Sequence, residues 1–230
     1  MTPDEITVVL LSLKVALVAT LFGLPLAIWL AFVLARKDFW GKALVNAATF
    51  LPLLLPPVVT GYILLAAFGR TGLIGASLYN VLGLSIAFKW TGAALAAGIM
   101  ALPIMVQPLR VAFELADIEM EEAAHDLGAT RWQRFFTITL PLAGPGVIAA
   151  ALLGFVKALG EFGATITFVS NIPGETQTLA LAIYSLIQTP NGDAAAARLI
   201  WLSIALAFAA LLLADAVSRR LRRGRALSKI

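Results

Sequence analysis

Long apolar runs separated by short polar stretches dominate the sequence. A helix needs about 20 apolar residues to cross a bilayer. Runs of at least that length lie at residues 6–34, 44–68, 91–113, 141–160 and 198–217. No repeat, low-complexity linker or shift in composition marks a second domain. The pattern therefore predicts an all-α integral membrane protein, in which residues 1–230 form a single transmembrane domain with five transmembrane helices.

Prolines and a glycine interrupt the second run, which predicts a bent helix. Pro52, Pro56, Pro57 and Gly61 all fall inside it. A proline in a membrane helix frees a backbone carbonyl, which is tolerated where neighbouring helices or a water-filled path satisfy that group. The run therefore holds either a simple packing kink or part of a path across the membrane.

The connections between the runs differ in what they predict. Residues 69–89 form a glycine-rich connection, and residues 160–178 contain Gly, Asn, Pro and Ser, which argues against a continuous helix. Residues 179–188 are apolar but too short to cross a bilayer, so they predict a short external or re-entrant helix. The fourth run carries a face of small residues suited to close helix packing. These small residues are Gly144, Gly146, Ala149, Ala150 and Gly154.

A polar loop, defined here as residues 115–140, separates the third run from the fourth. Residues 115–127 have a helix-forming composition of Glu, Ala, Leu and Met. Gly128 follows at the position where a left-handed C-terminal cap favours glycine. The first part of the polar loop is therefore predicted to be a short helix that ends at a glycine corner.

A second short helix is predicted to follow the corner. Thr130 is a candidate N-cap, and Gln133 three residues later completes the sequence pattern of a capping box. This helix is expected to run to Pro141, which can open the next membrane helix. Its aromatic residues are expected to hold the loop against the membrane helices rather than to contact a ligand. These residues are Trp132, Phe135 and Phe136.

Composition supports the membrane assignment. Hydrophobic residues make up 60% of the chain, charged residues 13%, and the mean hydropathy is +0.93. Soluble domains have about 45–50% apolar and 25% charged residues. The chain has no cysteine and one histidine, His125, so neither thiolates nor clustered imidazoles are available for a metal centre.

The distribution of positive charge predicts the topology. With five spans and the N-terminus outside, the cytoplasmic side holds twelve of the seventeen Lys and Arg residues and the outside holds three. This asymmetry follows the positive-inside rule, and a sixth span at residues 179–188 would break it. The basic residues therefore indicate topology and contact with anionic lipid rather than nucleic acid. The cytoplasmic set is Arg36, Lys37, Lys42, Arg110, Arg131, Arg134, Arg219, Arg220, Arg222, Arg223, Arg225 and Lys229, and the external set is Arg70, Lys89 and Arg198.

The polar loop resembles the EAA coupling loop of ABC importer permeases. Glu122, Ala123 and Ala124, then Gly128, and then the Ile-Thr-Leu-Pro sequence ending at Pro141 match the motif with its spacing. The resemblance implies the type I importer permease fold, with a cytoplasmic coupling helix that docks on a separate ATP-binding subunit. On this resemblance the docking residues are expected to be Glu121, Glu122, Ala123, Ala124, Leu127, Gly128, Ala129 and Arg131.

Other segments resemble the molybdate importer permeases in particular. These are LLSLKVA in the first run, LPLLLPPVVTGY in the second, FFTITLPL after the loop, and residues 157–190. The resemblance covers nearly the whole chain and implies import of molybdate, with tungstate expected to share the route. The implied assembly is two copies of this chain, two ATP-binding subunits and a periplasmic or extracellular molybdate-binding protein, in the inner membrane of a bacterium. Sulfate permeases are similar, so sulfate or thiosulfate is the main alternative substrate.

Two stretches of the sequence are candidates for a translocation path. The kinked second run and the turn after the fourth run are expected to line the axis between the two copies. The candidate path residues are Pro56, Pro57, Thr60, Gly61, Glu161, Gly163 and Thr165.

Charged residues inside the apolar runs allow two interpretations. Lys14 either extends its ammonium to the membrane surface or gives an outer vestibule a positive potential that attracts an anion. Lys157 and Glu161 are four residues apart, so they either pair on one helix face or Lys157 adds to that positive potential.

No catalytic motif is present in the sequence. It lacks the GxxxxGK[ST] phosphate loop, the GxSxG elbow and the HExxH helix. The chain is therefore expected to be a transport subunit and not an enzyme, with no cofactor of its own and with ATP and Mg²⁺ on the partner subunit. A gradient-driven secondary transporter would show inverted repeats and acids near the midplane, a membrane-embedded enzyme would show polar groups at one depth, and neither feature is visible. A passive channel would leave the polar loop without a role.

Overall fold

The computed structural model describes residues 2–227, with side chains up to residue 213 and at residue 216. Within this part of the chain the regular elements are all helices. In chain order they are α1 Pro3–Arg36, α2 Lys42–Leu54, α3 Pro57–Phe68, α4 Leu73–Leu82, α5 Trp90–Glu114, α6 Ile118–Asp126, α7 Arg131–Arg134, a π-helical turn Phe135–Thr139, α8 Leu140–Leu142, α9 Gly144–Leu159, α10 Gly163–Val169, α11 Leu179–Ile187 and α12 Asp193–Leu227.

Three helices are long and apolar enough to cross a membrane, and two bent pairs bring the total to five when each pair counts as one span. The long helices α1, α5 and α12 contain the first, third and fifth predicted runs. Helix α12 begins five residues before the predicted run and continues to Leu227. The prediction that Arg219 to Arg225 lie on the cytoplasmic side concerns side chains outside the described part. Lys229 lies outside the described residues altogether.

The second predicted run is two helices rather than one. Helices α2 and α3 meet at an angle of 112°. Leu55 and Pro56 between them have extended backbone, with ψ angles of 147° and 132°. A residue before proline is pushed out of the helical region, and this constraint applies twice in a Leu-Pro-Pro sequence. The prolines therefore produce a break, not a gentle kink.

The helix expected to open at Pro141 has a bend close to its start. Pro141 lies inside the helical stretch from Arg131 to Leu142, in the first turn of α8, and the chain turns by 71° at Ala143. Pro145 falls in the first turn of α9, where a missing N–H costs no hydrogen bond. Helix α9 therefore starts three residues after Pro141, and it forms a bent pair with the stretch that precedes it.

Helix α5 is the centre of the bundle. In its most apolar window 61% of the residues are buried, against 28% in α1 and 17% in α12. Lys14 lies over the ring of Trp90 at the start of α5, and Phe32 packs on Phe113 near its end, so α1 and α5 run parallel. Helix α9 runs antiparallel to α5. Its buried glycines are Gly146, next to Pro108, and Gly154, next to Met105, and this confirms the predicted packing face of small residues.

The bundle has two ends that differ in their contacts. At the N-terminal end, Glu5 pairs with Arg198 at the start of α12, and the Ser12 hydroxyl accepts a hydrogen bond from Leu179 N at 2.7 Å. Short helix α11, predicted at residues 179–188, therefore packs beside the N-terminus. At the opposite end, called here the loop end, the last turn of α1 meets the polar loop. Helix α12 runs from the N-terminal end along α9, and so toward the loop end.

The glycine-rich connection 69–89 contains a helix that the sequence pattern did not predict. Helix α4 covers Leu73–Leu82 and is flanked by Gly72 and Gly83. Gly83 adopts a left-handed conformation with φ +66° and closes the helix as a C-cap. Gly72 and Gly83 therefore stand at the two ends of this helix, where a glycine does not weaken the helix interior.

The contact between α9 and α5 gives a stability prediction. A Cβ at Gly146 would lie 2.4 Å from the Ala112 Cβ and 2.9 Å from the Pro108 carbonyl oxygen, and neither neighbour can rotate away. We expect Gly146→Val to destabilise the protein by about 1–3 kcal/mol, seen as a lower midpoint of thermal unfolding in detergent. Gly160→Ala is the matched control, because its Cβ would meet only the Val156 carbonyl at 3.8 Å. Equal midpoints for the two variants would contradict the close packing.

Candidate functional site

The polar loop starts with a capped helix. Helix α5 ends at Glu114, and Asp117 caps α6 by accepting a hydrogen bond from Glu119 N at 3.0 Å. Helix α6 covers Ile118–Asp126, so it starts three residues later than the predicted helix over 115–127. The reason is that α5 continues to Glu114 and three residues are needed to change direction. None of the residues of α6 is buried.

The corner after α6 has the predicted conformation. Gly128 has φ +87°, a left-handed value that is unfavourable for residues with a Cβ. Gly128 N donates to the His125 carbonyl and Ala129 N to the Ala124 carbonyl, each at 2.9 Å. This pair of hydrogen bonds is a Schellman motif, which satisfies the last carbonyls of the helix. The glycine at position 128 was therefore enough to predict the left-handed corner from the sequence.

The predicted capping box follows the corner. Gln133 N donates to the Thr130 hydroxyl at 3.3 Å, and Thr130 N donates to the Gln133 side-chain oxygen at 2.8 Å. The direction of α7 relative to α6 is therefore set by local hydrogen bonds at the corner.

The predicted docking residues divide by exposure. Glu122, Ala123, Leu127, Gly128 and Arg131 are exposed, and Leu127 retains 89% of its surface. Glu121, Ala124 and Ala129 are partly buried. The exposed residues lie on both sides of the corner, and they include an apolar side chain, Leu127, that the chain itself does not cover.

Phe135 fixes the end of the polar loop to the bundle. Its ring centroid lies 5.1 Å from that of Phe32 on α1 and 6.4 Å from that of Phe113 on α5. The contact with Phe32 is edge-on, an arrangement that stabilises beyond the burial of area alone. Phe135 therefore has the predicted packing role. Trp132 and Phe136 stack on each other at 6.0 Å and stay 74% and 57% exposed. Phe136 also meets Phe135 edge-on, with ring centroids 5.1 Å apart, so these two rings extend the aromatic contact toward the surface.

Arg36 makes a contact that the sequence did not reveal. Its Nη2 donates to the Ala116 carbonyl at 2.9 Å and to Glu121 Oε1 at 3.1 Å. From the sequence, Arg36 indicated only the topology. Its partners Ala116 and Glu121 lie 80 and 85 positions away, and no sequence pattern pointed to either contact. Glu121, one of the predicted docking residues, thus has its carboxylate engaged within the chain.

The two stretches predicted to line a path lie against each other. A Cβ at Gly61 on α3 would lie 2.6 Å from the Ala164 carbonyl oxygen on α10, and one at Gly163 would lie 2.6 Å from the Pro57 Cβ. Glycine is required at both positions because the helices approach too closely for a side chain. Thr60 is buried in this region, and its hydroxyl has no hydrogen-bond partner among the described residues. Sequence positions about 100 residues apart therefore form one contact region.

The path candidates differ in accessibility. Pro56 and Pro57 are exposed, Gly163 is partly buried, and Gly61 and Thr165 are buried within the chain. Glu161 is 3% exposed and accepts hydrogen bonds from Lys157 Nζ and from Ala164 N. This confirms the predicted pair of Lys157 with Glu161.

Lys14 has a partner as well. Its ammonium lies 3.6 Å from the centroid of the Trp90 ring, in a cation–π contact. This contact anchors the exposed Lys14 side chain to the start of α5.

The all-helical bundle with a protruding capped loop defines an integral membrane permease, and the comparisons with known proteins identify its family. The family described as "Binding-protein-dependent transport system inner membrane component" matches residues 23–223. The chain belongs to this family and is a multi-pass inner-membrane protein of ABC importers.

Individual relatives are similar over most of the chain. The molybdenum transport system permease protein ModB of Escherichia coli (strain K12) is 54% identical over 227 residues, covering 98% of this chain and 99% of that protein. Sulfate permease 2, chloroplastic, of Chlamydomonas reinhardtii is 38% identical over 219 residues, covering 94% of this chain and 58% of that protein.

A solved structure shows the same fold. The crystal structure of a bacterial ABC transporter involved in the import of the acidic polysaccharide alginate has a TM-score of 0.75 at 21% identity, and the match covers 96% of this chain and 80% of that chain. The fold is therefore that of the type I ABC importer permeases, as the polar loop indicated.

The capping box gives a local prediction. Thr130→Val removes the hydroxyl that accepts from Gln133 N, and loss of an N-cap costs about 1 kcal/mol. We expect the amide hydrogens of Gln133 and Arg134, which both donate to Thr130, to exchange about fivefold faster, as that free energy implies. Thr130→Ser keeps the hydroxyl and serves as the control. Unchanged exchange in the valine variant would show that the corner does not depend on this cap.

Proposed function

We propose that this chain is the membrane-spanning subunit of an ATP-driven importer that carries molybdate into the cytoplasm. The observation that carries the proposal is the 54% identity, over nearly the full length of both chains, to a molybdenum transport permease. The same identity supports tungstate as a second substrate, because the two tetrahedral oxyanions are nearly equal in size.

The exposed corner of the polar loop is the proposed docking site for the ATP-binding subunit. Glu122, Leu127 and Arg131 offer an exposed acid, apolar side chain and base around the corner, and α6 buries none of its residues in its own chain. Exposed apolar side chains among polar ones are typical of protein interfaces. ATP and Mg²⁺ would bind on that partner, which supplies the energy.

The proposed assembly contains two copies of this chain, two ATP-binding subunits and an external molybdate-binding protein. Family membership supports a binding protein and an ATPase as partners. The proposed orientation has the N-terminus outside and the C-terminus in the cytoplasm. The loop end carries Arg36, Lys37 and Lys42 in addition to the bases of the polar loop, which supports this orientation by the positive-inside rule.

The proposed path runs along the axis between the two copies. The broken second span is the best candidate for its wall, because irregular backbone at membrane depth is tolerated only inside protein or beside water. Pro56 and Pro57 at the break are exposed in the single chain and are available to a path or to a second copy. Thr60, Gly61, Glu161, Gly163 and Thr165 support that wall from the α3–α10 contact behind it.

Sulfate is the second candidate substrate, because a sulfate permease is 38% identical to this chain. The lower identity makes it the weaker candidate. The two oxyanions have the same charge and shape and differ in size, so a direct comparison decides between them.

The substrate is tested with the purified permease–ATPase complex in liposomes, with the binding protein of the same system. We expect molybdate to stimulate ATP hydrolysis and to accumulate inside the vesicles, and sulfate at the same concentration to do neither. Stimulation by sulfate alone would keep the permease and overturn the substrate. Absence of any copurifying ATPase would overturn the docking proposal.

The corner itself is tested by two variants of Gly128. A Cβ at this position meets no atom of the chain within 4 Å, so a substitution acts only through the φ of +87° or at the partner surface. Valine is strained there by about 1–2 kcal/mol, whereas asparagine tolerates the left-handed region. We expect Gly128→Val to lose assembly with the ATPase, measured by copurification, and Gly128→Asn to retain most of it. Normal copurification of the valine variant with the ATPase would show that the corner is not part of the docking site.

A further inference from the structure

Helix α6 protrudes from the bundle, so few contacts determine its position. None of its residues is buried. A cavity of about 500 Å³ lies between the end of α1 and the start of α6, so these elements are not closely packed there. The cavity is lined by Phe32, Ala35, Arg36, Lys37, Glu114, Ile118 and Glu121. Direct packing between α6 and α1 is therefore sparse at this point.

Arg36 bridges this gap. One guanidinium nitrogen, Nη2, contacts both the turn that precedes α6, through the Ala116 carbonyl, and α6 itself, through Glu121. The side chains of Arg36 and Glu121 are only 13% and 20% exposed. Hydrogen bonds to charged groups are about twice as strong as neutral ones, and partial burial reduces their screening by salt.

The same turn of α1 also contacts the far end of the polar loop. Phe32 lies one turn before Arg36 and packs on Phe135, with ring centroids 5.1 Å apart. The last turn of α1 thus contacts the polar loop at two places. Arg36 contacts it near its start, at α6, and Phe32 contacts it at Phe135, where the loop returns to the bundle. Helix α1, 34 residues long in all, connects this turn to the N-terminal end, where Glu5 holds Arg198 of α12.

We propose that Arg36 is the positioning residue through which α6 and α1 move together, so that displacement of the docking helix is passed to the membrane helices. This inference rests on the proposed function, in which an ATPase displaces α6. The residue touches neither substrate nor the exposed docking surface. Its role is to keep α1 and α6 in one rigid unit, beside the contact of Phe32 with Phe135.

The inference predicts uncoupling, which a purely structural residue would not produce. We expect Arg36→Met, which keeps the length of the side chain, to assemble with the ATPase and to hydrolyse ATP at the basal rate. Molybdate transported per ATP hydrolysed should fall by about tenfold or more, which is within the usual range of coupling between two sites. Lys37→Met removes a charge from the adjacent exposed residue and is the matched control, expected to stay coupled.

The reversed pair separates the specific contact from a general effect of charge. Arg36→Glu with Glu121→Arg restores opposite charges across the same gap, and we expect it to recover part of the transport per ATP that Arg36→Glu alone loses. Normal coupling in Arg36→Met, or a reversed pair no better than Arg36→Glu, would overturn the inference. If Arg36→Met does not assemble with the ATPase, the comparison of the reversed pair with Arg36→Glu alone decides whether Arg36 couples α6 to α1.

Failure of the proposed function would look different. In that case the unaltered complex would show no molybdate-stimulated hydrolysis, whatever stands at position 36. A coupled unaltered complex with coupled Arg36 variants would instead retain the proposed function and reject only the role of Arg36.

Discussion

The constraint on which the whole structure depends is that backbone polar groups in a bilayer must be satisfied within the protein. It explains why the described residues form helices. It also explains the Leu-Pro-Pro sequence at the irregular backbone between α2 and α3, because the prolines have no backbone N–H that would need a partner there. It also explains the central position of α5. This helix is the most buried, and it has α1 on one side and α9, with its small residues, on another.

Because packing in lipid gains little from the hydrophobic effect, close approach and a few polar contacts position the helices. The close approaches occur where a side chain is absent, as between Gly61 and Ala164 and between Gly146 and Pro108. Two of the polar contacts lie at the ends of α1. Glu5 holds the start of α12, and Arg36 holds the polar loop. Helix α1 is thus fastened at both ends to elements distant from it in sequence.

The polar loop combines a rigid local conformation with a loose attachment. Its corner is determined by the Schellman motif at Gly128 and the capping box at Thr130, which involve neighbouring residues only. Its attachment to the bundle depends on Phe135 and on the contacts of Arg36. A preformed surface on a lightly held segment suits an element that must bind a partner and also move with it. The same architecture occurs in a bacterial alginate transporter at 21% sequence identity, so the fold tolerates wide changes in sequence.

The sequence by itself determined the membrane class, the five apolar runs and the glycine corner with its cap, and it offered the pairing of Lys157 with Glu161 as one of two interpretations. All of these depend on composition or on residues within a few positions of one another, where local geometry leaves little choice. The tertiary structure decided the 112° break between α2 and α3, the late start of α9, helix α4, and the contact of α3 with α10. It also decided that Glu121 pairs with Arg36, 85 positions away. Contacts at such separations depend on how helices cross, and apolar periodicity carries no information about which helices will meet.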